Sequence, residues 1–209
     1  MIKFIQKFSP LILVIFHIIG LILFLRSNEA SDLTWVNLTL CGLLVFIAEL
    51  GEHGQGIRKV MGIFLLIFWG GFFIEYIGTA TGYLFGDYSY GEALGFKWLG
   101  VSLIIGVNWY AIVLASVNFT RLFIKNKWIQ AIAGAALCVL MDFIIEPVAV
   151  KFEFWTWHAG DIPAFNYLTW FIFALVFSLV YVLTTKRLNT SAATLYVVWA
   201  LFFAVLLFV

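Results

Sequence analysis

The stretch from Trp128 to Val150 reads WIQAIAGAALCVLMDFIIEPVAV. A helix needs about 20 mainly apolar residues to cross the hydrocarbon core of a bilayer, and this run is long enough. It also contains two carboxyl side chains, Asp142 and Glu146, a residue type that is costly at membrane depth and rare in ordinary spans. The stretch therefore predicts a transmembrane helix that carries a functional polar site.

The composition of the whole chain agrees with a membrane protein. Of its 209 residues, 64% are hydrophobic and 11% are charged, and the mean hydropathy is +1.07. Soluble proteins carry about 25% charged residues, so a soluble domain of this size could not cover its surface. The net charge of +1 provides no basic footprint for nucleic acid. We expect a single integral membrane domain, residues 1–209, surrounded by the lipid bilayer.

Six other runs have the length and apolar character of membrane spans. Together with Trp128–Val150 they predict an all-α, polytopic membrane bundle of seven transmembrane helices. The runs do not alternate between apolar and polar residues, as the strands of a membrane barrel would. The six are Phe8–Leu25, Leu33–Leu50, Val60–Thr79, Leu99–Phe119, Phe165–Thr184 and Thr190–Val209.

The lysines and arginines predict how the bundle is oriented. Nine of the twelve lie in alternate connecting segments, and three lie in the opposite segments. Because Lys and Arg are enriched in cytoplasmic loops, the N-terminus should be cytoplasmic and the C-terminus external, in the cell (cytoplasmic or inner) membrane. The nine are Lys3, Lys7, Arg58, Lys59, Arg121, Lys125, Lys127, Lys186 and Arg187, and the three are Arg26, Lys97 and Lys151.

Five polar side chains are predicted to lie at a similar depth, in the external half of the bilayer. They are Glu75, Asn108, Asp142, Glu146 and Asn166. Asp142 and Glu146 are four residues apart, which places them on one helix face, about 6 Å apart along the axis. Two close carboxyls in a low-dielectric site cannot both ionise cheaply, so we expect one to stay protonated and act as a general acid. A structural hydrogen-bonding role and a transporter's ion site are the alternatives.

Aromatic residues are concentrated near the same acids. The two longest external connections, Ala80–Trp98 and Lys151–Ala164, are rich in aromatic residues and glycine, whereas the cytoplasmic loops are short and basic. Aromatic faces stabilise cations where water is excluded. An acid beside such faces could protonate an isolated C=C bond of an apolar substrate from the bilayer and hold the resulting carbocation.

No metal or cofactor site is predicted. Glu49, Glu52 and His53 lie together near the inner end of the second span, and interfacial solvation explains them better than a metal site. Cys41 and Cys138 lie inside apolar runs without a CxxC spacing, and we expect them to be buried thiols. The nucleotide-binding and hydrolase motifs GxGxxG, GxxxxGKS/T and GxSxG do not occur in the sequence.

Four motifs between about residues 79 and 170 together resemble a known family. They are FGDYSY from Phe85, the pairs Gly100-Val101 and Asn108-Trp109, MDFIIEPVAVKFEFWTW from Met141, and IPAFNYLTW from Ile162. In these motifs the chain resembles the carotenoid-biosynthesis membrane hydratases, the family of bisanhydrobacterioruberin hydratase and the γ-carotene and lycopene 1,2-hydratases. Asp161 and Thr169 depart from the family pattern, which has a small residue or glycine at the first position and a glycine at the second.

The resemblance implies that water adds across the terminal 1,2 double bond of an acyclic carotenoid, with no metal or redox cofactor. For this chemistry we expect Asp142 to be the acid and Glu146 to orient water, with the exchange of these two roles left open, and Glu75 could take either role. The residues implied to bind substrate or water are Asn108, Trp109, Asn166, Trp170, Trp155, Trp157, Tyr88 and Asp87. The implied partners are a membrane-dissolved carotenoid, water, the bilayer and other enzymes of the carotenoid pathway.

Two other functions stay open on the sequence alone. A carotenoid end-group cyclase or isomerase would share the protonation step but capture the cation with an internal alkene. A non-catalytic transporter or lipid-binding protein should show inverted repeats and broken helices. No clear repeat relates the two halves of the sequence, and Pro147 is the helix breaker near the polar residues.

Overall fold

Seven long helices account for most of the fold in the computed structural model, which describes residues 2–26, 28–52 and 56–209. Short 3-10 helices at Asn28–Leu33 and Glu92–Leu94 lie in two of the connections. The long helices are α1 (Ile2–Arg26), α2 (Thr34–Glu52), α3 (Ile57–Thr81), α4 (Ile104–Arg121), α5 (Lys127–Lys151), α6 (Ala164–Thr184) and α7 (Thr190–Leu206).

Each of the seven predicted apolar runs overlaps one helix, but the run Leu99–Phe119 begins too early, because Val101–Ser102 form a short strand and the helix begins at Ile104. In the part of the chain that the structure describes, five stretches are long and apolar enough to cross a membrane: Phe4–Arg26, Ser31–Leu50, Ile57–Thr81, Lys127–Lys151 and Ala164–Thr184. The protein is therefore a multi-pass membrane protein. α7 is apolar but has only 17 residues, and α4 includes polar side chains, so the total of seven spans and their orientation stay predictions.

α4 forms the centre of the bundle. It packs against α2, α3, α5, α6 and α7, and every residue from Trp109 to Asn118 is buried. A helix that is surrounded by other helices needs no apolar stripe facing lipid. This position explains why α4 is less apolar than its neighbours although it lies deep in the molecule.

Two of the connections between helices, the one after α3 and the one after α5, meet in a ribbon of short strands. β1 (Tyr88–Tyr90) follows α3, and its antiparallel partner β4 (Trp155–Trp157) follows α5. The register pairs Tyr88 with Trp157 and Tyr90 with Trp155. β2 (Lys97–Trp98) and β3 (Val101–Ser102) form a second, smaller antiparallel pair. The helices agree with the predicted all-α bundle, and the strands are confined to the connections between helices.

Buried polar residues tie together the ends of α2, α4 and α6. Tyr181 donates a hydrogen bond to Glu49 at 3.0 Å, and Asn189 donates to the same carboxylate oxygen at 2.9 Å. Asn118 in turn donates to the Tyr181 hydroxyl at 2.9 Å. Glu49 is only 1% exposed. The expected interfacial solvation of Glu49 is therefore wrong, because α6 and the segment before α7 cover its side chain.

Candidate active site

Three buried carboxyl groups from two helices lie around one cavity. Glu75 is near the end of α3, and Asp142 and Glu146 are one turn apart on α5. They are 3%, 4% and 2% exposed, respectively. Pro147 directly follows Glu146 but does not end the helix, which continues to Lys151. Although proline removes one backbone donor, α5 thus still holds both carboxyls on a single rigid face.

Glu75 is surrounded by hydrogen-bond donors on aromatic rings. The hydroxyl groups of Tyr88 and Tyr90 both donate to Oε2, the latter at 2.8 Å. The indole Nε1 of Trp109 donates to Oε1 at 3.0 Å. A buried carboxylate is tolerated only when donors replace its lost water, and hydrogen bonds to a charged acceptor are the stronger kind. Three donors fit an ionised Glu75.

The two tyrosines remain donors over the ordinary pH range. Burial raises the pKa of Tyr88 and of Tyr90 well above the usual phenol value, and the negative charge of Glu75 raises both further. Both hydroxyls therefore keep their protons at neutral pH. Both tyrosines lie on β1, with the exposed Ser89 between them. Because alternate residues of a strand point to the same side, the two tyrosines share one face of the strand.

Glu146 is held by the other strand of the ribbon. Trp155 and Trp157 each donate their indole N–H to Oε2 of Glu146, both at 3.0 Å. Because alternate residues of a strand point to the same side, one face of the ribbon presents all four donors, two to each glutamate. The ribbon is thus the element that fixes Glu75 relative to Glu146.

Asp142 receives much less support. From the residues that the structure describes, its Oδ2 accepts a single hydrogen bond, donated by the Asn166 amide at 3.3 Å, which is slightly longer than the ordinary range. Among the described residues, Glu75 accepts three hydrogen bonds and Glu146 accepts two. The three carboxyls therefore occupy different environments although they lie close together, and different environments are what separates an acid from a base.

Stacked indoles lie beside the acids. The rings of Trp109 on α4 and Trp170 on α6 have centroids 4.1 Å apart and planes within 15° of parallel. α3 approaches Trp109 closely because Gly71 has no side chain, and a Cβ at this position would lie 2.4 Å from Cγ of the indole. The packing of α3 on α4 thus sets the position of the indole that donates to Glu75.

The cavity between these groups has a volume of about 30 Å³. A water molecule needs at least about 10–15 Å³ of such space, so the cavity has room for about two. Its walls include all three carboxyls together with Asn108 and Asn166. Polar groups on several sides make it a site for ordered water, and it is too small for the end of a polyene in this conformation.

A family model described as carotenoid biosynthesis protein matches residues 33–209. The chain belongs to the carotenoid biosynthesis protein family. It is also 28% identical over 107 residues to bisanhydrobacterioruberin hydratase of Haloarcula japonica, an alignment that covers 47% of this chain. The alignment covers 36% of that relative, so the chain spans about a third of the relative's length. No solved structure matches the chain.

In this member of the carotenoid biosynthesis family, most of the predicted site residues come together. Those that line the cavity are Glu75, Asn108, Asp142, Glu146, Asn166, Trp170, Trp155, Trp157 and Tyr88. Trp109 does not line the cavity, but its indole donates a hydrogen bond to Glu75, which does. Asp87 does not line the cavity; its side chain is exposed, and its backbone carbonyl accepts a hydrogen bond from the amide of His158.

Tyr90 was not among the predicted site residues, but it donates to Glu75 and lines the cavity. The available signal was the alternation in the sequence YSY, which places Tyr90 on the same face as Tyr88 if the segment is a strand. Of Glu49, Glu52 and His53, the group for which a metal site was the alternative to interfacial solvation, His53 lies outside the described residues. Within them, no group of three or more His, Cys, Asp or Glu side chains could hold a metal ion.

Proposed function

We propose that this protein is a carotenoid hydratase. It adds water to the terminal 1,2 double bond of an acyclic carotenoid end-group and produces a tertiary alcohol. The observation that carries the proposal is the water-sized cavity bounded by three buried carboxyls, of which two are held by aromatic donors and one is not. Membership of a carotenoid biosynthesis family and similarity to a protein named as a hydratase support the same reaction.

Asp142 is the proton donor in this proposal. Two neighbouring carboxylates and a single long hydrogen bond make ionisation of Asp142 less favourable than ionisation of Glu75 or Glu146. A carboxylic acid that keeps its proton at neutral pH can deliver it to carbon. The Asp142 proton goes to C2 of the end-group, the π electrons form the new C2–H bond, and a tertiary cation remains at C1.

The surrounding groups then stabilise the cation and supply water. The negative charge of Glu75 and the faces of Trp109 and Trp170 offset the developing positive charge. Glu146 orients the water together with the amides of Asn108 and Asn166, which also line the cavity. The water oxygen attacks C1 and its proton passes to Glu146. A second water returns that proton to Asp142, one helical turn away, so the enzyme is regenerated without metal or redox cofactor.

The substrate has to open the cavity from the lipid side, since about 30 Å³ cannot hold a polyene end-group. Trp170 is half-buried on α6, between the cavity and the outside of the bundle, and its displacement is the simplest route. By the distribution of Lys and Arg, we place the N-terminus in the cytoplasm and the site in the external half of the cell membrane. Association with other enzymes of the carotenoid pathway is part of this proposal.

The direct test is expression of the full chain in a bacterial host that accumulates lycopene, followed by mass analysis of the pigments. We expect a product heavier than lycopene by the mass of one water per reacted end. Asp142→Asn and Glu146→Gln should abolish it, whereas Asp161→Asn, a matched change at an exposed carboxyl, should not. Immunodetection in membranes shows that each variant accumulates.

The alternative outcomes separate the rival functions. A product with the mass of lycopene but a shifted absorption spectrum would indicate an end-group cyclase or isomerase. Unchanged pigment, with the wild-type chain inserted in the membrane, would contradict both reactions and favour a transporter or lipid-binding protein.

A further inference from the structure

A second cavity lies apart from the acids, among α1, α2, α7 and the segment that precedes β4. Its volume is about 190 Å³. A cavity of about 150 Å³ in an apolar core is enough to bind benzene, so this one can hold the end of a hydrocarbon chain. Most of its lining is aromatic or aliphatic, including Phe24, Trp199 and Phe202.

His17 provides a hydrogen-bond acceptor in the wall of this second cavity. It is 4% exposed, and its Nδ1 lies 2.8 Å from the carbonyl oxygen of Leu13. A carbonyl only accepts, so Nδ1 carries the hydrogen and Nε2 of the neutral ring has a lone pair to offer. The neighbouring Cys41 thiol is 4.0 Å from Nε2 and donates its hydrogen to Asn37 instead, at 3.3 Å. The Nε2 lone pair thus stays available for a donor in the cavity.

The hydroxyl group of Thr34 is a second polar group in the same wall. The hydroxyl oxygen of Thr34 is buried and has no hydrogen-bond partner among the described residues. Buried polar atoms are nearly always satisfied, because an unpaired one has lost its hydrogen bonds to water without replacing them. A group that both donates and accepts would satisfy Thr34 and His17 together. A hydroxyl is the smallest such group.

The second cavity opens toward lipid and also adjoins the ribbon. Phe16, Ile19 and Val36 form its rim and are 46%, 50% and 42% exposed, so a chain can leave the cavity between α1 and α2. On the inner side it is bounded by Phe154, the residue before Trp155, whose indole donates to Glu146. The cavity is therefore mostly apolar, with the polar atoms of His17 and Thr34 in its wall. This lining suits a long hydrocarbon chain that enters from the bilayer with a hydroxyl group at its leading end.

We propose that this cavity binds the hydroxyl-bearing end of a linear isoprenoid alcohol. The hydroxyl donates to His17 Nε2 and pairs with Thr34, and the hydrocarbon chain extends to the lipid between α1 and α2. The assignment is independent of the hydratase proposal, because it depends only on the lining of this cavity. The tertiary alcohol that a hydratase would produce belongs to this ligand class, and so do the isoprenoid alcohols already present in membranes.

Binding to the purified full chain in detergent tests the proposal, with retinol as a fluorescent probe and retinyl methyl ether as a probe that cannot donate. We expect saturable binding, with retinol about 3- to 10-fold tighter than the ether, the effect of one hydrogen bond. His17→Phe and Thr34→Val should reduce that preference toward equality. Gly20→Leu should abolish binding of both probes, because a Cβ at Gly20 has only ordinary contacts and a longer side chain extends into the cavity.

Gly62→Leu is the matched control, because Gly62 has open space around it on α3. It should bind both probes as the wild type does. Competition by geranylgeraniol and by hydroxylated lycopene then separates a membrane alcohol from a reaction product as the preferred occupant. Absence of saturable retinol binding, or equal binding by the wild type and Gly20→Leu, would overturn the proposal even if one of the other variants fails to fold.

Discussion

Replacement of Gly71 by alanine tests how closely the reaction depends on the position of the Trp109 indole. The new Cβ would lie 2.4 Å from Cγ and 2.6 Å from Cδ1 of Trp109, whereas ordinary contacts begin at 3.4 Å. The indole, or the whole of α4, therefore has to move by about 1 Å. The hydrogen bond from Trp109 to Glu75, now 3.0 Å long, and the 4.1 Å stack on Trp170 would both be disrupted.

The expected magnitude follows from these contacts. A lost hydrogen bond to a charged group costs about 1.5–3 kcal/mol, and a misplacement of about 1 Å at a catalytic site can lower a rate by about 100-fold. We therefore expect Gly71→Ala to lower hydration of lycopene by about 100-fold. Overpacking of about 1–3 kcal/mol also opposes the roughly 1 kcal/mol that alanine gains over glycine in a helix, so the melting temperature should not rise.

The assay is the rate of product formation in isolated membranes, normalised to the amount of folded chain. Gly62→Ala is the control, because it makes the same change on the same helix where no atom lies within 4 Å. It should retain the wild-type rate. A wild-type rate of lycopene hydration by Gly71→Ala, with Trp109 shown to have moved, would mean that the reaction does not depend on this indole and its hydrogen bond to Glu75.

The other predictions concern the ribbon. Trp157→Phe keeps an aromatic ring but removes one of the two hydrogen-bond donors to Glu146. The hydration rate in membranes should fall at least about 10-fold, which corresponds to a loss of about 1.5 kcal/mol. A wild-type rate would mean that Glu146 needs no fixed orientation. Tyr90→Phe removes a donor to buried Glu75 and should destabilise the chain by about 1.5–3 kcal/mol in detergent unfolding. Ser89→Ala, on the exposed face of the same strand, should change neither rate nor stability, and a loss as large as that of Tyr90→Phe would point to the strand itself.

The helices could be predicted from the sequence because each is a long apolar run, and length and hydropathy alone decide whether such a run can span a bilayer. The three acids could be found for the same reason, since Glu75, Asp142 and Glu146 interrupt otherwise apolar segments. Their grouping around one cavity also agrees with the similar depth expected for them.

The ribbon could not be predicted by the same means. Tyr88 and Trp157 are far apart in the sequence, and their pairing depends on how α3 and α5 are placed by the rest of the bundle. The three-residue strands are too short for periodicity to separate them from a loop. The sequence therefore indicated that aromatic side chains cover the acids, but it did not indicate which indole or hydroxyl donates to which carboxyl.

The burial of Glu49 shows a similar limit. A carboxyl close to the end of an apolar run is most simply expected at the membrane surface, where water solvates it. Here the hydroxyl of Tyr181 and the amide of Asn189, from distant parts of the chain, replace that water. No sequence pattern within α2 indicates that Tyr181 and Asn189 will be the hydrogen-bond donors to Glu49.

In the proposed mechanism, a carboxylic acid in the site protonates carbon and water then supplies the oxygen. It is tested most directly by reacting lycopene with membranes that contain the full chain, in deuterium oxide and separately in water enriched in the heavy oxygen isotope. We expect one deuterium at C2 and one heavy oxygen at C1 for each hydrated end, and no product with Asp142→Asn. A hydroxyl oxygen that comes from molecular oxygen, or a hydrated product without deuterium at C2, would contradict it.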